Sequence, residues 1–229
     1  MQDRRYGIIY EDAELLVVDK PSGMLVIPTP KKETNTLTDL LNRDLDSRGI
    51  EANAYPCHRL DRETSGLIVY AKGKVAQQFV MGEFKKRAVK KTYVAFAQGA
   101  VKGPTGVITR NIYDRNKARS IPAVTKYKVV EKKGGFSVLE VEPVTGRTNQ
   151  IRIHLKDIGH PIVGESVYAF RKDYKLRFKR VALHAQKIEF KHPVTGEKMA
   201  FVSPLPKDMK DFLLATNNQR PMTNDKSVA

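Results

Sequence analysis

The run His58-Arg59-Leu60-Asp61-Arg62-Glu63-Thr64-Ser65-Gly66-Leu67-Ile68-Val69 constrains this chain most, because a knot of charges passes without a linker into an apolar segment. Leu67 to Ala71 reads as a buried strand, and Thr64-Ser65-Gly66 supplies the small groups and turn residue of a tight bend at its entry. Such a bend projects Asp61 toward a cleft. Arg59 and Arg62 flank the acid, and neighbouring cations favour an ionised carboxylate even where burial opposes it. Asp61 is therefore expected to stay charged, as a candidate nucleophile. An ordinary solvated Arg-Asp pair at a strand entry is the competing reading.

A chain of 229 residues is long enough to bury a substantial core. Its 41 Lys and Arg outnumber 25 Asp and Glu, a formal net charge of +16 with no single basic tract to confine the excess to a tail. A diffuse positive field suits a polyanion, because neutralised phosphates supply the sequence-independent part of nucleic-acid affinity. RNA or DNA is thus the leading partner, against a merely basic protein. The one cysteine, Cys57, excludes an intramolecular disulfide and a cysteine zinc cluster. It is expected to be a small buried thiol, not half of a dyad with His58. The N-terminal apolar segment is interrupted by Glu11, Asp12 and Glu14, which fits neither a signal peptide nor a membrane span. A cytoplasmic protein is expected.

Gly7 to Tyr10 and Leu15 to Asp19 read as strands, followed by the loop Lys20-Pro21-Ser22-Gly23. Leu37, Leu40, Leu41 and Leu45 recur at helical spacing, with Asn35 or Thr36 as N-cap and Gly49 beyond the last turn. Val75, Ala76, Phe79, Val80 and Phe84 mark a second helix, with Lys85, Lys86 and Arg87 at its C-terminal end, where cations complement the dipole. Its apolar stripe is assigned to core packing. Lys91 to Gln98 alternates as a strand with Tyr93, Ala95 and Ala97 on one face. Val124 to Glu131 and Phe136 to Glu142 form a hairpin through Lys132-Lys133-Gly134-Gly135. A helix over Thr148 to Ile158, strands over Val181 to Phe190 and Lys198 to Val202, and a short helix over Lys207 to Leu214 complete the pattern. Strands and helices intermix without regular alternation, so the expected fold is α+β: one catalytic domain over 1–216, a largely antiparallel mixed central sheet flanked by helices, and a polar disordered tail over 217–229.

Four segments, VDKPSG at Val18 to Gly23, HRLDRETSGLIV at His58 to Val69, KKTYVAF at Lys90 to Phe96 and TGRTNQIRIHL at Thr145 to Leu155, together resemble the RluA-type pseudouridine synthases. The likeness continues through Gly159-His160-Pro161-Ile162-Val163-Gly164, Leu183-His184-Ala185 and His192-Pro193-Val194-Thr195-Gly196. This resemblance implies an enzyme that detaches uracil from its ribose in ribosomal or transfer RNA, turns it and rejoins it through carbon 5, with no metal or organic cofactor. It assigns the essential carboxylate to Asp61, as nucleophile toward sugar or base or as the base that generates a glycal. Arg152 is implied as the salt-bridge partner of Asp61, and Tyr93 as the ring that packs on the target base. Arg62 is implied to brace the space left by an extruded uridine. Arg59, Arg62 and Arg147 are expected to contact RNA, Arg147 through phosphate or structurally, while Lys20 belongs to a structural loop near the cleft. Two positions depart from the family pattern: Asn149 stands for a histidine and Glu165 for an aspartate, both placed outside the chemistry. Because the first strand comes almost at once, the chain is expected to lack the small N-terminal RNA-binding domain that the resemblance associates with many relatives, and a monomer is expected.

A metallohydrolase is the first rival, since His58, Asp61, His154, His160, His184 and His192 include possible ligands. Their spacing matches no zinc signature such as H-E-x-x-H. The second rival is an RNA-binding or ribosome-assembly protein whose catalytic site is unused.

Overall fold

Backbone pairing gathers ten strands into one sheet in the computed structural model, which describes residues 5–114, 117–169 and 176–217. In chain order the described elements are β1 (Gly7–Glu11), β2 (Leu15–Lys20), α1 (Leu37–Ser47), β3 (Tyr55–Pro56), β4 (Ser65–Ala71), α2 (Lys74–Lys85) and β5 (Lys90–Gln98). They continue with β6 (Thr105–Asp114), β7 (Arg119–Lys133), β8 (Phe136–Pro143), α3 (Gln150–Asp157), β9 (Leu183–Lys191), β10 (Lys198–Val202) and α4 (Lys207–Asn217). The sheet runs β1-β2-β4-β9-β5-β8-β7-β6, with β3 added to β4 and β10 to β9. Its pairs are antiparallel except β4 with β9, which meet in parallel at Ser65↔His184 and Gly66↔Ala185. The expected α+β fold with a largely antiparallel mixed sheet is the one observed.

Strands β2 and β4 read as continuous apolar runs because both their faces are covered. Leu16, Val18, Ile68 and Tyr70 pack with Leu37, Leu41 and Leu45 of α1. The alternate residues Leu15, Val17, Leu67 and Val69 pack with Ala76 and Val80 of α2. In the other half, Phe96, Phe136 and Leu139 of the sheet enclose Leu155 of α3 together with Phe212 of α4. Helix α1 starts at Thr36, whose hydroxyl accepts from the Asp39 amide while the Asp39 carboxylate accepts from the Thr36 amide, a reciprocal cap.

The largest departures from expectation lie in the β6–β7 hairpin and at the end of α4. Strand β6 and the first five residues of β7 were not anticipated, because Gly106, Arg110, Asn111 and Pro122 break the apolar alternation of a hairpin that is exposed along much of its length. Helix α4 runs to Asn217, three residues past Leu214, so the expected start of the tail falls in its last turn; residues 218–229 lie outside the described residues.

The sheet centre brings distant motifs together. Ala185 of β9 pairs with Gly66 on one side and Tyr93 on the other. Gly66 has φ +110, and an added Cβ would lie 2.3 Å from the Ala185 carbonyl oxygen, so no side chain fits this contact. The bend before β4 and the middle of β5 are thereby set across one strand from each other.

Candidate active site

Asp61 sits in the loop between β3 and β4, and that loop is tied to the Lys20-Gly23 turn. Lys20 Nζ donates to the carbonyls of Pro21 (2.9 Å), Met24 (2.9 Å) and Arg62 (3.1 Å). Three acceptors match the three protons of an ammonium. Ser22 Oγ donates to the Glu63 carbonyl at 2.7 Å, and the Gly23 amide to that of Arg62 at 2.8 Å. The two residues after Asp61 are therefore fixed through their backbone. Lys20 is fully buried, and burial pushes its ammonium down to about 7, although the charges of Asp61 and Glu63 oppose this.

Arg152 reaches the site from α3, which is pinned to the sheet by a buried polar network. Gln150 Nε2 donates to the Val124 carbonyl and to Thr125 Oγ1, each at 2.9 Å, and its Oε1 accepts from Thr145 Oγ1 at 2.6 Å. His154 spans Thr125 Oγ1 (2.9 Å) and the Arg110 carbonyl (3.3 Å). That carbonyl can only accept, so Nε2 carries the ring proton and Nδ1 accepts from the threonine.

The ion-pair partner of Arg152 is Glu165, and the expected Arg152-Asp61 salt bridge is corrected accordingly. Nε donates to Glu165 Oε2 at 2.7 Å and Nη2 to Oε1 at 2.8 Å, a bidentate fork. Arg152 is 7% exposed and Glu165 4%. The remaining donor Nη1 meets Asn149 Oδ1 at 3.1 Å, and Asn149 Nδ2 donates to the Tyr168 hydroxyl at 2.8 Å. Glu165 Oε1 also accepts from the amides of Ser166, Val167 and Tyr168 at 2.8–3.2 Å. Burial works against the charged carboxyl, yet the hydrogen bonds from Arg152 and from the Val167 and Tyr168 amides outweigh it, and the proton affinity of Glu165 is lowered. Both departures from the family pattern thus grip the guanidinium, and neither lies outside the site.

Arg152 acts on Asp61 through charge without sharing an ion pair. Burial raises the Asp61 proton affinity above the ordinary carboxylate value; Arg152, Arg59 and Lys20 pull it down, and Glu165 pushes it up. Burial and cations oppose one another at Asp61 as expected from the sequence, with burial the larger effect and with Arg152 and Lys20 acting beside Arg59 where Arg62 was expected. Tyr93 is raised by burial and then by the charge of Asp61, which places its phenol near the carboxylate.

These groups open on a cavity of about 750 Å³ between α2, β5 and the 143–149 turn that leads into α3. Among the described residues lining it, Asp61 is the one carboxylate, facing Arg59, Lys85, Arg87, Lys91, Arg147 and Arg152. Arg147 lines the wall and is tethered, Nε donating to the Pro122 carbonyl at 3.1 Å. Arg62 is not brought in: it is exposed, 3.4 Å from Glu33, and borders a neighbouring hollow near Ser22 and Thr36. His58 Nε2 accepts from the Val69 amide at 3.1 Å, and burial and then the Lys91 charge hold the ring neutral, down at about 3. Cys57 is buried and its thiol pushed up to about 12, as befits a core residue. Among the described residues no three His, Cys, Asp or Glu side chains converge as metal ligands would.

Sequence reasoning missed Glu165 and Lys91. Glu165 lies 13 residues beyond Arg152 across a turn, with no local signal of the pairing. Lys91 could have been found, because it stands two residues before Tyr93 in the same strand and so shares its face. Helix α2, assigned to packing, also contributes Gln78, Met81, Phe84 and Lys85 to the wall.

The family described as RNA pseudouridylate synthase matches residues 14–157. An RNA pseudouridine synthase of Bacillus subtilis, YhcT, is 37% identical over 215 residues, covering 90% of this chain and 70% of its own. Ribosomal large subunit pseudouridine synthase D of Neisseria meningitidis is 36% identical over 223 residues, 90% of this chain and 60% of its own. The solved structure of human RNA pseudouridylate synthase domain containing 4 superposes with a TM-score of 0.77 at 25% identity, over 94% of each chain.

Proposed function

The chain belongs to the RNA pseudouridylate synthase family, and from that premise we propose that its cavity receives a uridine extruded from ribosomal RNA, with Asp61 as the reacting carboxylate. The reaction class is isomerisation of uridine in RNA. The bond from ribose to uracil nitrogen breaks, the base turns, a bond from ribose to carbon 5 forms, and the proton on carbon 5 is released while the freed ring nitrogen takes one up, so that the product is an isomer of the substrate. The observation that carries the assignment of Asp61 is its place as the one carboxylate, among the described lining residues, in a cavity walled by six cations.

Each residue has a part in this scheme. Burial makes the Asp61 carboxylate a stronger base than a solvated one, and Arg152, Arg59 and Lys20 limit that gain so that the ionised form persists. Tyr93, from the neighbouring strand, packs against the uracil, a contact of a kind worth roughly 1–3 kcal/mol. Arg152, locked by Glu165 and Asn149, keeps a fixed positive charge facing the acid through the rearrangement. Arg59 and Arg147 receive phosphates at the mouth, and Arg62, outside the cavity, contacts the RNA beside it. Ribosomal RNA is favoured over transfer RNA because the Neisseria relative is named for the large ribosomal subunit. Among the described residues no helix is long and apolar enough to cross a membrane.

The test is tritium release from carbon-5-labelled uridine in unmodified ribosomal and transfer RNA, with the wild type and Asp61→Asn. Release from ribosomal RNA by the wild type alone is expected, with RNA affinity retained in the variant. Equal release by both proteins would remove Asp61 from the chemistry, and release from transfer RNA alone would reverse the substrate choice.

A further inference from the structure

We infer that Lys91 is a phosphate-binding residue of this cavity, taking an RNA backbone phosphate beside the uridine held at Tyr93 and Asp61. The inference rests on the uridine-site reading above and names a contact that the reading does not use. Lys91 and Tyr93 both line the cavity and lie two residues apart on β5, roughly 7 Å along a strand, a spacing on the scale of one nucleotide from base to phosphate.

Arg59, Lys85 and Arg87 line the cavity as exposed side chains, whereas the cations withdrawn from solvent beside Lys91, namely Lys20 and Arg152, are satisfied, and Lys91 is not. Lys20 spends its three protons on carbonyls, and Arg152 is forked onto Glu165. The ammonium of Lys91 lies 5.5 Å from the centre of the Phe84 ring and against the turn at Gly146, where an added Cβ would stand 3.8 Å from Nζ. Among the described residues no carboxylate forms an ion pair with it and no acceptor takes a hydrogen bond from it. Burial alone lowers its proton affinity, with no opposing anion. A half-buried cation with only a ring face for company is an unfavourable arrangement, which an incoming phosphate relieves by supplying acceptor oxygens. The Phe84 contact keeps the chain aimed, since a ring face attracts the charged form. No other carboxylate among the lining residues competes for it besides Asp61, which faces the base.

The experiment measures binding and does not depend on turnover. Affinity for a short oligouridylate is followed across a salt series for Asp61→Asn, and for the same protein carrying Lys91→Met or Lys91→Arg. Methionine keeps an aliphatic stem on Phe84, so folding is preserved and only charge is lost; thermal midpoints verify this. Loss of one phosphate contact should flatten the plot of log affinity against log salt by about 0.7 for a single strand. Lys91→Arg should retain the parental slope. An unchanged slope in Lys91→Met, or an arginine variant as flat as the methionine one, overturns the contact. If Asp61→Asn binds no RNA at all, the uridine-site reading falls with it; tritium release by the wild type combined with an unchanged slope overturns the phosphate contact alone.

Discussion

Glu165 and Asn149 determine what Arg152 can offer Asp61. Both take donors of the guanidinium, so Arg152 presents a positioned charge and does not collapse onto the Asp61 carboxylate. Removing the charge of Glu165 leaves a buried arginine without its counter-ion, which costs on the order of 3 kcal/mol. Glu165→Gln should therefore unfold at clearly lower urea concentration. It should also move the acid limb of the rate profile. Glu165 raises the proton affinity of Asp61, so its neutralisation lowers that affinity, and activity should persist to lower pH than in the wild type. A stability loss with an unmoved acid limb would restrict Glu165 to scaffolding. Asn149 itself has φ +54 at the N-terminus of α3, a left-handed conformation that asparagine tolerates better than most residues. Asn149→Ala should lower kcat more than it raises KM, because it frees one donor of Arg152 while removing no charge from the cavity wall; a pure KM effect would count against a positioning role.

At the level of elements, the site depends on β4 and β9 meeting at one point. The parallel contact is short, and Gly66 makes it possible by leaving room for the Ala185 carbonyl. Gly66→Ala combines a positive-φ strain with a clash against backbone, and should destabilise by roughly 3 kcal/mol, or about 6–12 °C in thermal midpoint for a chain of this size. A midpoint within a degree of wild type would mean that the two strands part without penalty. The bend carrying Asp61, the strand after it and the leucine helix α1 were legible because each has a strong local signal: a charge cluster against an apolar run, two-sided burial, and 3.6-residue periodicity ending in a cap. The β6–β7 hairpin was not, because an exposed strand needs no apolar alternation and its ladder is satisfied by backbone alone. That Asp61, Tyr93 and Arg152 would share one cavity was legible through motif resemblance, whereas the Glu165 fork was not, since only the packed turn after α3 brings that carboxylate to the guanidinium.

Across the whole molecule, a net charge of +16 draws RNA in but also makes the folded state sensitive to further protons. Three of the five histidines, His58, His154 and His184, are shifted toward neutrality, in each case chiefly by burial. His58 accepts from the Val69 amide, and His184 sits between Ser65 and the Ser203 carbonyl. Protonation of His58 would turn its acceptor nitrogen into a donor facing the Val69 N–H, and burial opposes the charged ring of His184. A folded pKa below the unfolded one gives stability that is complete above the unfolded value, near 6.5, and is lost as pH falls toward the folded value. With His58 at about 3, protonation of the unfolded chain at pH 5.5 removes about 1.4 kcal/mol, and His154 and His184 act in the same direction. Lys20, lowered to about 7, adds the same sign, since the unfolded chain binds its proton more tightly. The urea midpoint should therefore fall steadily from pH 7.5 to 5.5, and His58→Gln, which keeps an acceptor for the Val69 amide but does not titrate, should show a shallower fall. A midpoint that rises on acidification would mean that the buried rings are charged and paired in the folded protein, contrary to their hydrogen bonding.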